Sequence, residues 1–72
     1  MYTVYGKNEC PACFRVKMCL DLLGKKYEYK ELNKDFTVEE FEEKFPNVLT
    51  LPQVVLDGKT LGNANETLKY LK

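Results

Sequence analysis

With 72 residues the chain reads as one domain, residues 1–72, and a domain this small buries only about 60% of the surface its unfolded form exposes. Eleven Lys and Arg balance eleven Asp and Glu, so no basic excess exists to hold a phosphate backbone and nucleic acid is not an expected partner. Three cysteines without any histidine do not suit an even-numbered disulfide framework or a structural zinc site with four ligands, so no bound metal is expected.

The N-terminal "MYTVYGKNEC" has no charged segment followed by a long apolar one, so it does not read as a signal peptide. No apolar stretch reaches the roughly 20 residues of a membrane span. A cytoplasmic, reducing location is the default expectation, and thiols there are catalytic, metal-bound or buried.

Met1 to Tyr5 is rich in β-branched and aromatic residues and stops at Gly6, which predicts a first strand. Pro11 suits the first position of a helix. Cys13, Val16, Leu20 and Leu23 then recur at helical spacing with Cys19 beside them, and Gly24 closes the run, giving a helix over Pro11 to Leu23. Lys26 to Leu32, "KYEYKEL", alternates and predicts a half-exposed strand. Thr37 with Glu40 forms a capping-box pattern opening a short acidic helix through Phe41 to Phe45, which Pro46-Asn47 ends.

Gln53 to Leu56 and Lys59 to Leu61 flank Asp57-Gly58 as a hairpin. The last helix is predicted over Glu66 to Leu71, capped by Asn63 or Asn65. The order β-α-β-α-β-β-α, with a right-handed parallel crossover and an antiparallel hairpin, implies a four-stranded mixed sheet with three helices in the α/β class, of thioredoxin-like architecture.

The stretch "NECPACF" places Cys10 between strand and helix and Cys13 one turn inside. Unpaired N–H groups of the first helical turn and the helix dipole favour an anion at Cys10. In such Cys-X-X-Cys sites the first thiol's pKa falls from about 8.5 to roughly 3.5–7. Lys7 upstream and Arg15 or Lys17 downstream add attraction, and Glu9 opposes it. Cys10 is therefore the candidate nucleophile for attack on a disulfide sulfur. Cys13, on the stripe of Val16 and Leu20, is the sheltered thiol that attacks the mixed disulfide. Cys19 reads as apolar filler, with an oxidation-sensitive thiol as the alternative.

The segment "VYGKNECPACFRVKMCLDLLGKKYEYKELN" resembles the first half of a glutaredoxin, and "TLPQVVLDGKTLGNANETLKYL" resembles its second half. There the family carries Thr-Val-Pro, a hairpin and a Gly-Gly-X-Asp stretch. The resemblance implies a small dithiol oxidoreductase that reduces protein disulfides and glutathione mixed disulfides, with glutathione as the recycling thiol and no bound cofactor. Ribonucleotide reductase is an implied target. It implies Cys10 as nucleophile, Cys13 as resolving thiol and Pro52 as a cis-proline facing them. The backbone of Leu51 would then pair with an extended substrate segment.

Further implied contacts to glutathione involve Lys7, Pro11, Ala12, Gly62, Asn63 and Asn65. Lys7 would meet one carboxylate of glutathione, and the helix start at Asn63 to Asn65 would meet the other. Lys44 is a weaker candidate. Three positions depart from the family's pattern. Ala12 replaces a tyrosine, Asn63 a glycine and Asn65 an aspartate. Asparagine is the least costly substitute for glycine if position 63 requires positive φ. These departures keep a donor reduced by thioredoxin reductase as the alternative. An iron–sulfur or metal-binding module is the remote one, because Pro11 stands where cluster-binding relatives carry glycine or serine. A non-catalytic adaptor is disfavoured by the presence of both cysteines. The neutral surface makes a monomer the expectation.

Overall fold

The computed structural model describes residues 1–48 and 50–71. Four strands form one sheet in the order β2-β1-β3-β4, comprising β1 (Tyr2–Gly6), β2 (Tyr27–Glu31), β3 (Gln53–Leu56) and β4 (Lys59–Gly62). The helices are α1 (Pro11–Leu22), α2 (Val38–Lys44) and α3 (Ala64–Leu71). β1 pairs in parallel with β2 and antiparallel with β3, and β3 pairs antiparallel with β4. The mixed sheet and element order are those expected from the sequence. No described helix is long and apolar enough to cross a membrane.

β1 extends one residue beyond its expected end, because Gly6 pairs with Glu31 and its carbonyl accepts the Leu32 N–H at 2.8 Å. α1 ends where the chain makes a Schellman turn. Lys25 N–H donates to Leu20 O at 2.9 Å and Gly24 N–H to Asp21 O at 3.1 Å, with Gly24 at φ +68°. These two bonds satisfy carbonyls that the helix end would otherwise leave open. Leu23 is thereby the C-cap and 48% exposed, which corrects its expected place on the core stripe. Cys19 is only half-buried, outside the fully packed interior.

Each sheet face has its own core. On one, Val16 and Leu20 of α1 and Ala64 of α3 pack on Tyr2, Val4 and Val54, with Tyr27 and Tyr29 at the margin. On the other, Tyr5, Phe36, Phe41 and Phe45 form an aromatic cluster with Leu51 and Val55 beside it. The Tyr5 ring meets Phe36 and Phe45 edge-on, each at 5.4 Å between centroids. Such geometry contributes about 0.5–1.5 kcal/mol beyond area burial. The first core fixes α1 and its cysteines against β1. The second fixes α2 and the approach to Leu51.

α3 begins two residues earlier than its pattern suggested, and Asn63 alone is its cap. Asn63 Oδ1 accepts the Glu66 N–H at 3.0 Å and Glu66 Oε1 accepts the Asn63 N–H at 3.0 Å. Asn65 lies inside the first turn, which removes it as the alternative cap. Position 63 does not require positive φ; that conformation falls on Gly62, at φ +113°. A Cβ on Gly62 would also stand 2.7 Å from Glu66 Cδ.

Candidate active site

Cys10 leaves β1 through a short turn and becomes the N-cap of α1 with extended backbone (φ −118°, ψ 104°). The turn is closed by Glu9 in the left-handed region at φ +55°, a conformation uncommon outside glycine. Cys10 Sγ accepts the Cys13 N–H at 3.2 Å, and Cys10 O accepts the Phe14 N–H at 3.0 Å. No acidic residue occupies the first turn of α1. The partial positive charge of the helix start therefore reaches the Cys10 sulfur with no carboxylate inside the helix's own first turn, although Glu9 precedes it.

Cys13 sits one turn further in and is 1% exposed, whereas Cys10 is half-exposed. Burial pushes the Cys13 thiol up to about 11, and its hydrogen bond with Cys10 adds to this. The backbone of Lys7 and the hydroxyl of Tyr29 pull it the other way. The two sulfurs are thus held differently: one at an open helix mouth, the other protonated in the packed interior.

Three cavities among the described residues bear on the site, the first of them lined by both cysteines. The largest, about 470 Å³, is walled by Lys7, Glu9, Cys10, Cys13, Lys17 and Tyr29, with Pro11 at its rim. A second of about 290 Å³ runs from Lys7 past Val38 and Phe41 to Leu51. A third of the same volume is lined by Ala12, Arg15, Leu51, Pro52, Asn63 and Asn65. Lys7 is common to the first two and Leu51 to the last two. The Leu51–Pro52 peptide bond is cis and Pro52 is fully buried.

The structure therefore gathers Lys7 and Pro11 with both cysteines on one side. On the other it gathers Ala12, Leu51, Pro52, Asn63 and Asn65, with Gly62 at the adjoining end of β4. Lys44 lines none of the three cavities; its ammonium lies 5.9 Å from the Tyr5 ring centroid. Of the cations expected near Cys10, Lys17 shares its cavity and Arg15 lies in the groove beyond Ala12.

Tyr29 was not marked by the sequence beyond its place in an alternating strand. Its neighbour on β1 gives the missing signal: a Cβ on Gly6 would lie 2.8 Å from Tyr29 Cε1 and Cζ. Only a residue without a side chain lets that ring lean across to the cysteines. Among the described residues no group of three or more His, Cys, Asp and Glu side chains could hold a metal ion.

With this geometry in place, the comparisons are specific. The family model for glutaredoxin matches residues 2–61. Glutaredoxin-C6 of Oryza sativa subsp. japonica is 32% identical over 68 residues, covering 90% of this chain and 61% of that protein. The chain thus spans about three-fifths of the length of that curated relative. A buckwheat glutaredoxin–glutathione complex superposes with TM-score 0.82 at 27% identity, covering 94% of this chain and 64% of the other. Reduced Escherichia coli glutaredoxin superposes with TM-score 0.83 at 23% identity, covering 97% and 91%, and that likeness carries the fold.

Proposed function

We propose that this chain, which belongs to the glutaredoxin family of thiol–disulfide oxidoreductases, is a dithiol member that reduces protein disulfides and glutathione mixed disulfides with glutathione as its recycling thiol. The observation that carries the reading is the Cys10 sulfur seated as the cap of α1, 3.2 Å from the Cys13 N–H, with Cys13 buried behind it.

The Cys10 thiolate attacks one sulfur of a substrate disulfide, forming a Cys10–S–S–R mixed disulfide and releasing the other sulfur as a thiolate that takes up a proton. Two fates follow. For a protein disulfide, Cys13 loses its proton and attacks Cys10 Sγ, closing a Cys10–Cys13 disulfide and expelling the reduced partner. For a glutathione mixed disulfide, Cys10 takes the glutathionyl group, and the thiolate of a second glutathione attacks that group's sulfur, leaving as glutathione disulfide and returning Cys10 as thiolate. Two glutathione molecules reopen the Cys10–Cys13 bond and leave as glutathione disulfide.

An extended substrate segment would lie in the groove beside Leu51 and Pro52, pairing with the Leu51 backbone. Lys7 would meet one carboxylate of glutathione. Arg15 and the N–H groups at the start of α3 would meet the other. A protein disulfide such as that of ribonucleotide reductase is the proposed acceptor, in the reducing cytoplasm that keeps such thiols available.

A second reading concerns the electron source. The groove that would receive the glutamyl end of glutathione presents Ala12, Arg15, Asn63 and Asn65, a lining with a cation but no carboxylate for the ligand's ammonium. That favours weaker glutathione contact and keeps thioredoxin reductase as an alternative reductant. Supplying oxidised protein with each reductant in turn separates the two. Reduction by glutathione supports the first reading, and reduction by the flavoenzyme alone overturns it. Loss of exchange in Cys10→Ser, with trapped mixed disulfides in Cys13→Ser, tests the assigned roles.

A further inference from the structure

Cys13 must ionise to resolve a mixed disulfide, yet it is 1% exposed and its thiol is pushed up to about 11. A buried thiol with that resistance needs a donor for its incipient charge and an exit for its proton. β1 brings no titratable side chain to the cavity that Cys13 lines, since Val4 and Gly6 are the β1 residues nearest it and Tyr2, on the same face, lies at the far end of the strand beside Asp57 and Tyr70. β2 does. Tyr29 lies opposite Val4 in the parallel register, leans across the bare Gly6 backbone, and shares the 470 Å³ cavity with Cys13. Its hydroxyl donates to the Lys7 carbonyl at 3.2 Å, and Lys17 Nζ stands 4.2 Å from its ring centroid.

We propose that Tyr29 is an auxiliary residue of the resolving step: its hydroxyl turns from the Lys7 carbonyl to donate to the Cys13 sulfur as that thiol ionises. The inference rests on the reading of Cys10 and Cys13 given above. The step balances without any added reagent. The Cys13 proton passes into the water of the open cavity, and the Cys13 thiolate attacks Cys10 Sγ. The bond between Cys10 Sγ and the sulfur of R breaks with its electron pair on R–S⁻, which takes up a proton.

Burial and the neighbouring cysteines push the Tyr29 phenol up to about 12, so it stays a donor wherever the thiol chemistry runs. The other charged or titratable groups around this cavity are Lys7 and Glu9 from the turn, Cys10 and Lys17 from α1, and Glu31 from Tyr29's own strand. The two lysines lie on the side of the thiolate, and Glu9 and Glu31 oppose it. A uniform cationic field is therefore not available to ionise Cys13, and a directed hydrogen bond to the sulfur is.

The test uses an aromatic disulfide that releases one coloured thiolate when Cys10 attacks and a second when Cys13 resolves, followed by stopped flow across pH. Tyr29→Phe keeps the ring over Gly6 and under Lys17 and removes only the hydroxyl. The second release is expected to slow about tenfold near neutral pH, as losing a hydrogen bond to a charged group implies, with its pH midpoint displaced upward. Tyr27→Phe removes a hydroxyl on the same strand that faces Asp21 instead, and its second release should match the unsubstituted protein. A Tyr29→Phe protein with unchanged second-phase rate and midpoint overturns the role of Tyr29 alone. Absence of any first release from the unsubstituted protein overturns the reading of Cys10, and this inference with it.

Discussion

The three described helix starts follow one spacing with two different chemistries. At α2, Thr37 Oγ1 accepts the Glu40 N–H at 3.1 Å and Glu40 Oε1 accepts the Thr37 N–H at 2.8 Å. Asn63 and Glu66 do the same at α3. At α1 the cap and the residue three positions on are both cysteines, Cys10 and Cys13, and a single S···H–N contact replaces the reciprocal pair. Oxygen caps with a returning glutamate settle the open N–H groups and place a negative charge against the dipole. A thiol pair leaves that end weakly satisfied and without a carboxylate returning from the first turn. The difference teaches that a Cys-X-X-Cys at a helix mouth is a capping box with stability given up for reactivity.

Exchanging the chemistries is the sharpest way to break the comparison. Cys10→Ser supplies a better cap oxygen while deleting the proposed nucleophile. Disulfide exchange should fall to background while the urea midpoint holds or rises, with a change in stability within about 0.5 kcal/mol. A variant that keeps its activity would end the comparison.

Alkaline pH acts next, and most at the thiol end. Cys13 would ionise near 9.0 in the unfolded chain and near 11 when folded, so between those values the folded state holds the extra proton. Stability is whole below about pH 9 and falls as pH rises toward 11, by on the order of 2 kcal/mol. Tyr29, raised to about 12, extends the loss in the same direction. Urea titrations at stepped pH should show a shallower decline for Cys13→Ala.

Smaller effects belong to the oxygen-capped ends. Thr37→Ala and Asn63→Ala should each cost about 1 kcal/mol, read from thermal or urea unfolding. Asn65→Ala, at an exposed first-turn position, should cost under about 0.5 kcal/mol. Equal losses at 63 and 65 would remove the distinction drawn between those asparagines.

Local signals carried most of the fold. The seam at Cys10-Pro11, the Thr37–Glu40 pair and the Asp57-Gly58 turn each act within a few residues, and each stands where its pattern placed it. What failed needed partners. On α1 the expected stripe Cys13-Val16-Leu20 is the buried one and only Leu23, drawn out as the C-cap, leaves it, while a second apolar stripe, Phe14-Met18-Leu22, has no place in that reading. The second is solvent-facing, with Leu22 81% exposed. Asn63 could have been chosen over Asn65 from the glutamate three residues after it. Tyr29 could not have been chosen from its own strand, because the space it uses belongs to Gly6 across the sheet. Nor does charge alone separate Lys7, at the cysteines, from Lys44, drawn over the Tyr5 ring.

The sheet order has one further effect, on how copies of this chain meet. With β1 and β3 inside, β2 and β4 are left as open rims whose unsatisfied N–H and C=O groups invite another strand. β2 alternates Glu28, Lys30 and Glu31 among its tyrosines, and β4 opens with Lys59. A rim bearing ionic side chains resists flat stacking, because fibril-like stacking sets identical charges directly above one another. The borders of the sheet therefore discourage self-association into fibres, apart from the groove beside Leu51 and Pro52 at which substrate binding is proposed.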